Sequence, residues 1–277
     1  MLLPEATVAQ RVSRAKATVR AAGARFTVPA GAELLGRLDI VHQVLYLMFT
    51  EGWTAGAGPD LMRPALTAEA MRLARSLHRK LPSSSETAGL LALMLLQDSR
   101  RAARTDPDGE LVVLEEQDRS RWDRAAIAEG TVLVTTALRS GPLGPYQVQA
   151  AIAAVHAEAP TAAATDWAQI VALYDVLVRL TPGPVVSLNR AVAVGMVGGP
   201  AAGLDELQAL QDGPLAGHHR VAAVRAHLLA RSGDGSAAAH WYREAARRAG
   251  NVREQRHLAG RAAELERRAA ERDDAAR

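Results

Sequence analysis

Two long segments of this chain share one layout, and that layout constrains the fold more than any other feature. "LYDVLVRLTPGPVVSLNRAVAV" and "HWYREAARRAGNVREQRHLAG" each carry an aromatic residue on a helical stretch, then a Pro or Gly break, then a second helical stretch with small residues. Tyr174 and Tyr242 stand 68 residues apart, twice the 34-residue period of tetratricopeptide repeats. The unit between them is degenerate, with Gln208 where a third Tyr is expected. A single helix pair of this size cannot bury its apolar face alone. It must stack on neighbours, which gives a solenoid with a concave side. Residues 161–272 are therefore expected to form a tetratricopeptide-like array.

The rest of the chain fits the same class. Ala, Leu and Arg dominate, and all three are strong helix formers. Runs of β-branched residues at strand spacing are scarce. Breakers such as Pro29, Gly31, Pro82 and Gly199 divide the chain into about a dozen helical segments, giving an all-α expectation throughout. "LLGRLDIVHQVLYLMFTEGW" reads as a buried helix ending near Gly52. The helix at "LTAEAMRLARSLHRKL" is expected to open at Thr67, capped with Glu69, and to form an antiparallel hairpin with "SSSETAGLLALMLLQDSRRAAR". Only "TDPDGELVVL" allows strand-like backbone, a Pro-Asp-Gly turn before a brief apolar run. The expected organisation is 1–25, 26–33 as linker, 34–160 as central helical part, 161–272 as repeats and 273–277 as a frayed tail.

Charge and composition exclude several function classes. The first 25 residues carry Arg11, Arg14, Lys16, Arg20 and Arg25 against Glu5, so the chain's net charge of +3 is confined to them. A local anion-binding surface is implied, a general one is not. The absence of Cys excludes disulfides, thiolate metal sites and Cys nucleophiles. No run of apolar residues is long enough to span a membrane, and the charged start lacks a signal-peptide core, so the reading is cytoplasmic. There is no H-x-x-x-H pair and no G-x-S-x-G. His218 and His219 are adjacent, so on a helix their rings diverge. No metal, cofactor or enzymatic activity is expected.

The opening segment, "EATVAQRVSRAKATVRAAG", is a basic amphipathic helix with Gly23 as its C-cap. Val8, Val12, Ala15, Val19 and Ala22 form one apolar stripe. Thr7, Gln10, Arg11, Arg14 and Lys16 are candidates for phosphate and base contacts. The order "TVAQRVSRAKATVR" resembles the recognition helix in region four of extracytoplasmic-function sigma factors of RNA polymerase. The blocks "LYLMFTEGWTAG", "GLLALMLLQDSRRAARTDPDGELVVLEEQDRSRWDRAAIAEG" and "PVVSLNRAVAVGMVGGPAAGL" are similar to the long helical, tetratricopeptide-like extension of one subgroup of these factors. The resemblance implies a parent protein that recognises promoter DNA with core RNA polymerase, and an extension serving regulation or protein interaction. It also marks a departure. Region two and the earlier helices of region four do not occur in this sequence, so the helix lacks the elements that orient it in the major groove. The chain alone is not expected to initiate transcription.

Other candidates concern the array. "LEEQDRSRWDRAAIAEG" is the densest charged block. It reads as a helix N-terminus with acids favoured by the helix dipole, or with Trp122, Asp123 and Arg124 locking neighbouring helices or lining a peptide groove. Tyr146 and Gln149 belong to the same set of interaction or structural candidates. Asn189 and Arg190 lie in an otherwise apolar helix, where a buried Asn needs partners. A peptide or protein ligand on the array is the expected partner there. The alternative to the transcription reading is a free-standing protein-binding scaffold with no DNA role.

Overall fold

A computed structural model of the chain describes residues 5–23, 31–210 and 212–275. Among these residues the regular elements are twelve α-helices and three single-turn 3-10 segments, with only isolated β-bridges besides. The helices are α1 (Glu5–Ala21), α2 (Ala32–Trp53), α3 (Pro64–Lys80), α4 (Ser85–Asp98), α5 (Arg124–Arg139) and α6 (Pro145–Glu158). They continue as α7 (Trp167–Leu180), α8 (Pro184–Gly198), α9 (Pro200–Gln208), α10 (His219–Ser232), α11 (Gly235–Arg248) and α12 (Val252–Ala275). The fold is all-α, as the composition and periodicity predict. The chain divides into two units, residues 1–43 and 44–277, with the boundary inside α2.

In the first unit, α1 ends where its sequence says it should. Gly23 adopts φ +54° and its N–H bonds to Arg20 O. Along its apolar stripe, where described, Ala15 and Ala22 are exposed and Val19 is 47% exposed. Two alanines and a valine offer little area to offset the ordering of a basic helix. The side chains of Thr7, Val8, Arg11 and Val12 lie outside the described residues.

The second unit is built around α4. Ten consecutive residues, Thr87–Leu96, are buried on all faces of that helix. It packs on α3, α5 and α6, while Leu45, Phe49 and Trp53 from α2 join Leu90, Met94 and Leu95 in one apolar cluster. Each fully buried Leu of this kind contributes about 1.5–3 kcal/mol. Ser84 caps α4, accepting from Thr87 N at 3.2 Å. The cap of α6 comes from another helix: Glu86 accepts from Tyr146 N at 2.7 Å and Gln147 N at 3.2 Å. Thr67 is interior to α3, buried, because Pro64 opens that helix instead. The helix expected to be buried, α2, is covered on one side only. Ile40, Val44 and Leu47 are 62, 51 and 42% exposed.

The repeats are complete. Their first helices begin at Trp167, Pro200 and Gly235, and their second helices at Pro184, His219 and Val252. The middle unit exists despite its degenerate sequence, with a short α9 in which Gln208 is exposed and Leu207 is buried. Gly203 makes this possible. A Cβ there would lie 2.9 Å from both Ala191 O and Gly195 Cα, so α8 and α9 cross in direct backbone contact. α12 is helical through Ala275, and 276 and 277 lie outside the described residues.

The array does not end as an open solenoid, because the start of α12 docks on the loop after α2. Asn251 is fully buried and supplies the latch. Its Nδ2 donates to Ala55 O at 3.2 Å and Asp60 O at 2.8 Å, while its Oδ1 accepts from Arg253 N at 3.0 Å and Glu254 N at 3.2 Å. Val252 N bonds to Gly58 O at 3.1 Å beside it. Arg253 and Arg256 then pair with Glu110. The strand-like stretch predicted in "TDPDGELVVL" is reduced to one Thr105–Leu111 bridge, and its Glu110 meets α12.

Candidate functional site

The closed array holds two buried cations, Arg104 and Arg119, and a half-buried one, Arg100. The stretch after α4, "SRRAAR", turns back through a 3-10 turn at Arg101–Ala103 and carries Arg100 and Arg104 inward. Arg104 is held by the end of α2: it bonds to Trp53 O and, at 3.1 Å, to Thr54 Oγ1, with its guanidinium 4.2 Å from the Trp53 ring centroid. Burial lowers its pKa to about 9. Arg119, from the turn before α5, donates to His156 O and Ala159 O at 2.7 Å and lies 4.4 Å from the Trp122 ring. These two cations are satisfied by carbonyls and aromatic faces in place of carboxylates.

Arg100 has no such arrangement. Among the described residues its guanidinium has no hydrogen-bond or ion-pair partner, only the Trp53 ring at 5.6 Å. Desolvation, together with the charge of Arg119, lowers its pKa to about 10, so it remains a cation at neutral pH. It lines a cavity of about 370 Å³ within the second unit. Tyr46, Trp122, Gln149, His156 and Tyr174 share the wall, and Asn189 and Val185 stand at its exposed rim. Trp122 is 3% exposed, yet its Nε1 has no acceptor among the described residues. His156 packs edge-on against Trp167, and burial with the Arg100 and Arg119 charges pulls its pKa to about 4, so it is neutral. Burial raises the Tyr46 and Tyr174 hydroxyls, which therefore stay protonated. The wall thus offers one cation, several neutral donors and apolar surface.

A second groove of about 630 Å³ runs between the 111–116 stretch and the last repeats. Glu115 and Glu116 face His227, Tyr242, His257 and Arg261 across it. Among the described residues no three His, Asp or Glu side chains converge as a metal site requires. The rings of His218 and His219 do not diverge as predicted; they stack 4.4 Å apart. His218 is outside the helix as N-cap of α10, accepting from Arg220 N at 3.2 Å, which frees its ring from helical spacing.

The sequence-selected residues divide between the cavity and the scaffold. Trp122, Gln149 and Asn189 reach the cavity; Gln149 also accepts from Tyr46 Oη at 3.3 Å. Tyr146 packs edge-on against Tyr46 with centroids 5.4 Å apart. Asp123 caps α5 through Ala126 N at 3.0 Å, and Arg124 bonds to Arg119 O at 3.2 Å, so the charged block is a helix start that also locks its neighbours. Arg190 ties three helices together, pairing with Asp175 at 2.8 Å and Glu206 at 2.7 Å. Asn189 is exposed, which corrects the expectation of a buried Asn: one turn of α8 points away from the core at the cavity mouth. Gln10, Arg14 and Lys16 are exposed on α1. Arg100, His156, Tyr46, Tyr174 and Asn251 were not selected from sequence. An Arg run after an apolar helix normally reads as a solvated C-terminus, and nothing local distinguishes the buried case.

Residues 37–138, from within α2 to the end of α5, match a family of unknown function (DUF6596). The family segment therefore contains Arg100 and Trp122 but not the repeats. The chain is also 45% identical over 232 residues to an uncharacterized protein of Rhizobium meliloti (strain 1021). That similarity covers 84% of this chain and 55% of the relative, so the chain spans about half the length of the curated relative it matches. Among the described residues, no helix is long and apolar enough to cross a membrane.

Proposed function

We propose that this chain is the C-terminal portion of an extracytoplasmic-function sigma factor, with the closed helical array acting as its regulatory or protein-interaction module. The observation that carries the reading is the order of residues on α1, "TVAQRVSRAKATVR", followed by the extension-like blocks. The exposure of Gln10, Arg14 and Lys16 supports it, since contacts to phosphates and bases require free side chains. The parent protein acts in the cytoplasm on promoter DNA with core RNA polymerase as partner. No catalytic role is assigned to any residue. Affinity purification of the native gene product from its own cells tests the reading. Core polymerase subunits and a defined set of promoter fragments are the expected companions. Recovery of neither contradicts it.

A second reading is a free-standing tetratricopeptide-like scaffold. The 630 Å³ groove favours it, because that groove lies between the 111–116 stretch and the last repeats and has paired acidic and basic walls suited to a peptide. Recovery of a protein partner without polymerase or DNA decides for this reading.

A further inference from the structure

The cavity around Arg100 has no assigned role, and its composition is unusual for a structural void. Withdrawing a guanidinium from water is costly unless something pairs with it, and Arg100 is half-buried. Arg104 and Arg119 show how this fold pays that cost when the role is structural, through paired carbonyls and stacked indoles. Arg100 has only the more distant Trp53 ring. It shares the wall of the same 370 Å³ space with Trp122, whose Nε1 is a second donor without an acceptor among the described residues. The polar neighbours are Tyr46, Tyr174, Gln97, Gln149, Asn189 and a neutral His156. Among the described residues no carboxylate lines this cavity.

We infer that the cavity binds a small organic monoacid, with its carboxylate on Arg100 and Trp122 Nε1–H and its hydrocarbon part against Leu93, Leu96, Ile152 and Leu177. A single lining cation matches one negative charge, whereas a phosphate dianion calls for more. The leucine and isoleucine surfaces suit an apolar tail, and the volume lies in the range of small-molecule sites. The rim at Val185, 47% exposed, and at Asn189 gives the ligand a way in. The ligand bridges α4, the turn before α5 and the α7–α8 repeat, so occupancy stiffens the array. The site belongs to the array and does not depend on the promoter-recognition reading.

Titration calorimetry on the full chain tests it, using acetate, hexanoate and benzoate, with hexanamide and inorganic phosphate as controls. Hexanoate or benzoate is expected to bind, acetate more weakly, and neither control at up to about 10 mM. Arg100→Met is expected to weaken carboxylate binding at least about tenfold. It is also expected to raise the unliganded Tm by about 2 °C, since it removes an uncompensated, half-buried charge. Trp122→Phe keeps the ring packing and weakens binding without that gain. Absence of carboxylate binding, binding of hexanamide or phosphate as tight as hexanoate, or a fall in Tm with unchanged affinity in Arg100→Met would each overturn the inference.

Discussion

The two halves of the larger unit handle polar groups in opposite ways. Between residues 44 and 159, Thr67, Thr87, Ser99, Arg104, Gln117, Arg119 and Gln147 are all buried. Across the three repeats, from Trp167 to Ala275, Asn251 is the buried polar residue among those described. Repeat cores are made of Ala and Leu with Ile170, Val221 and Tyr242, and charges such as Arg243–Glu266 and Arg267–Glu271 stay on the surface. A periodic scaffold needs only nearest-neighbour packing and tolerates sequence drift, as the middle repeat shows. The earlier half is aperiodic, and there polar groups removed from water fix one arrangement. The cavity lies where the two regimes meet, with Arg100 and Trp122 from one half and Tyr174 and Asn189 from the other.

The comparison can be broken at its seam. Asn251→Leu removes four hydrogen bonds and strands the Ala55 and Asp60 carbonyls, so it is expected to cost about 3–4 kcal/mol in urea unfolding. A loss below about 1 kcal/mol would mean that the two halves do not depend on the latch. Within the repeats the sensitive point is backbone approach. Gly203→Val is expected to cost about 2–3 kcal/mol because α8 and α9 have no room for a side chain at their crossing.

Burial lowers the pKa of histidines in both halves, His218, His227 and His257 in the repeats and His156 in the aperiodic half, and His156 is moved furthest. His156 has a folded pKa of about 4 against 6.5 for the free side chain, so the unfolded chain takes up a proton first as pH falls. The stabilisation from keeping it neutral is complete above pH 6.5 and is lost progressively toward pH 4. Between pH 7.5 and 5 this one residue is expected to lower stability by about 2 kcal/mol, and His156→Gln should flatten the profile. A profile identical in the variant contradicts the assignment. The smallest effects belong to surface pairs of the repeats. Arg190→Ala is expected to cost about 1 kcal/mol, since it loses two partly buried partners, while Arg267→Ala should leave the urea midpoint unchanged.

What was legible in the sequence follows the same division. Helix period, breakers and the Tyr174–Tyr242 spacing revealed the all-α class and the repeats, because periodic burial leaves a periodic pattern. The helix start at the charged block around Asp123 was readable because acids at a helix N-terminus are a local signal. Array closure was not readable: Asn251 meets Ala55 and Asp60 across nearly the whole unit, and an Asn after Gly reads locally as a turn. Arg100 was missed for a related reason. Its neighbours in sequence are Arg101, which pairs with Asp98, and Ser99, so only the fold separates the inward Arg from the outward one. Trp122 was singled out, but its unpaired indole N–H depends on tertiary packing.

The central claim is that α12 closes the array onto the loop after α2 and makes one enclosed unit. Amide hydrogen exchange of Asn251→Ala against the native chain tests it most directly. The account expects protection to fall together at 55–61 and 250–256, two segments far apart in sequence, with the α4 amides still protected. Loss confined to 250–256, with 55–61 unchanged, would contradict closure and leave an open solenoid.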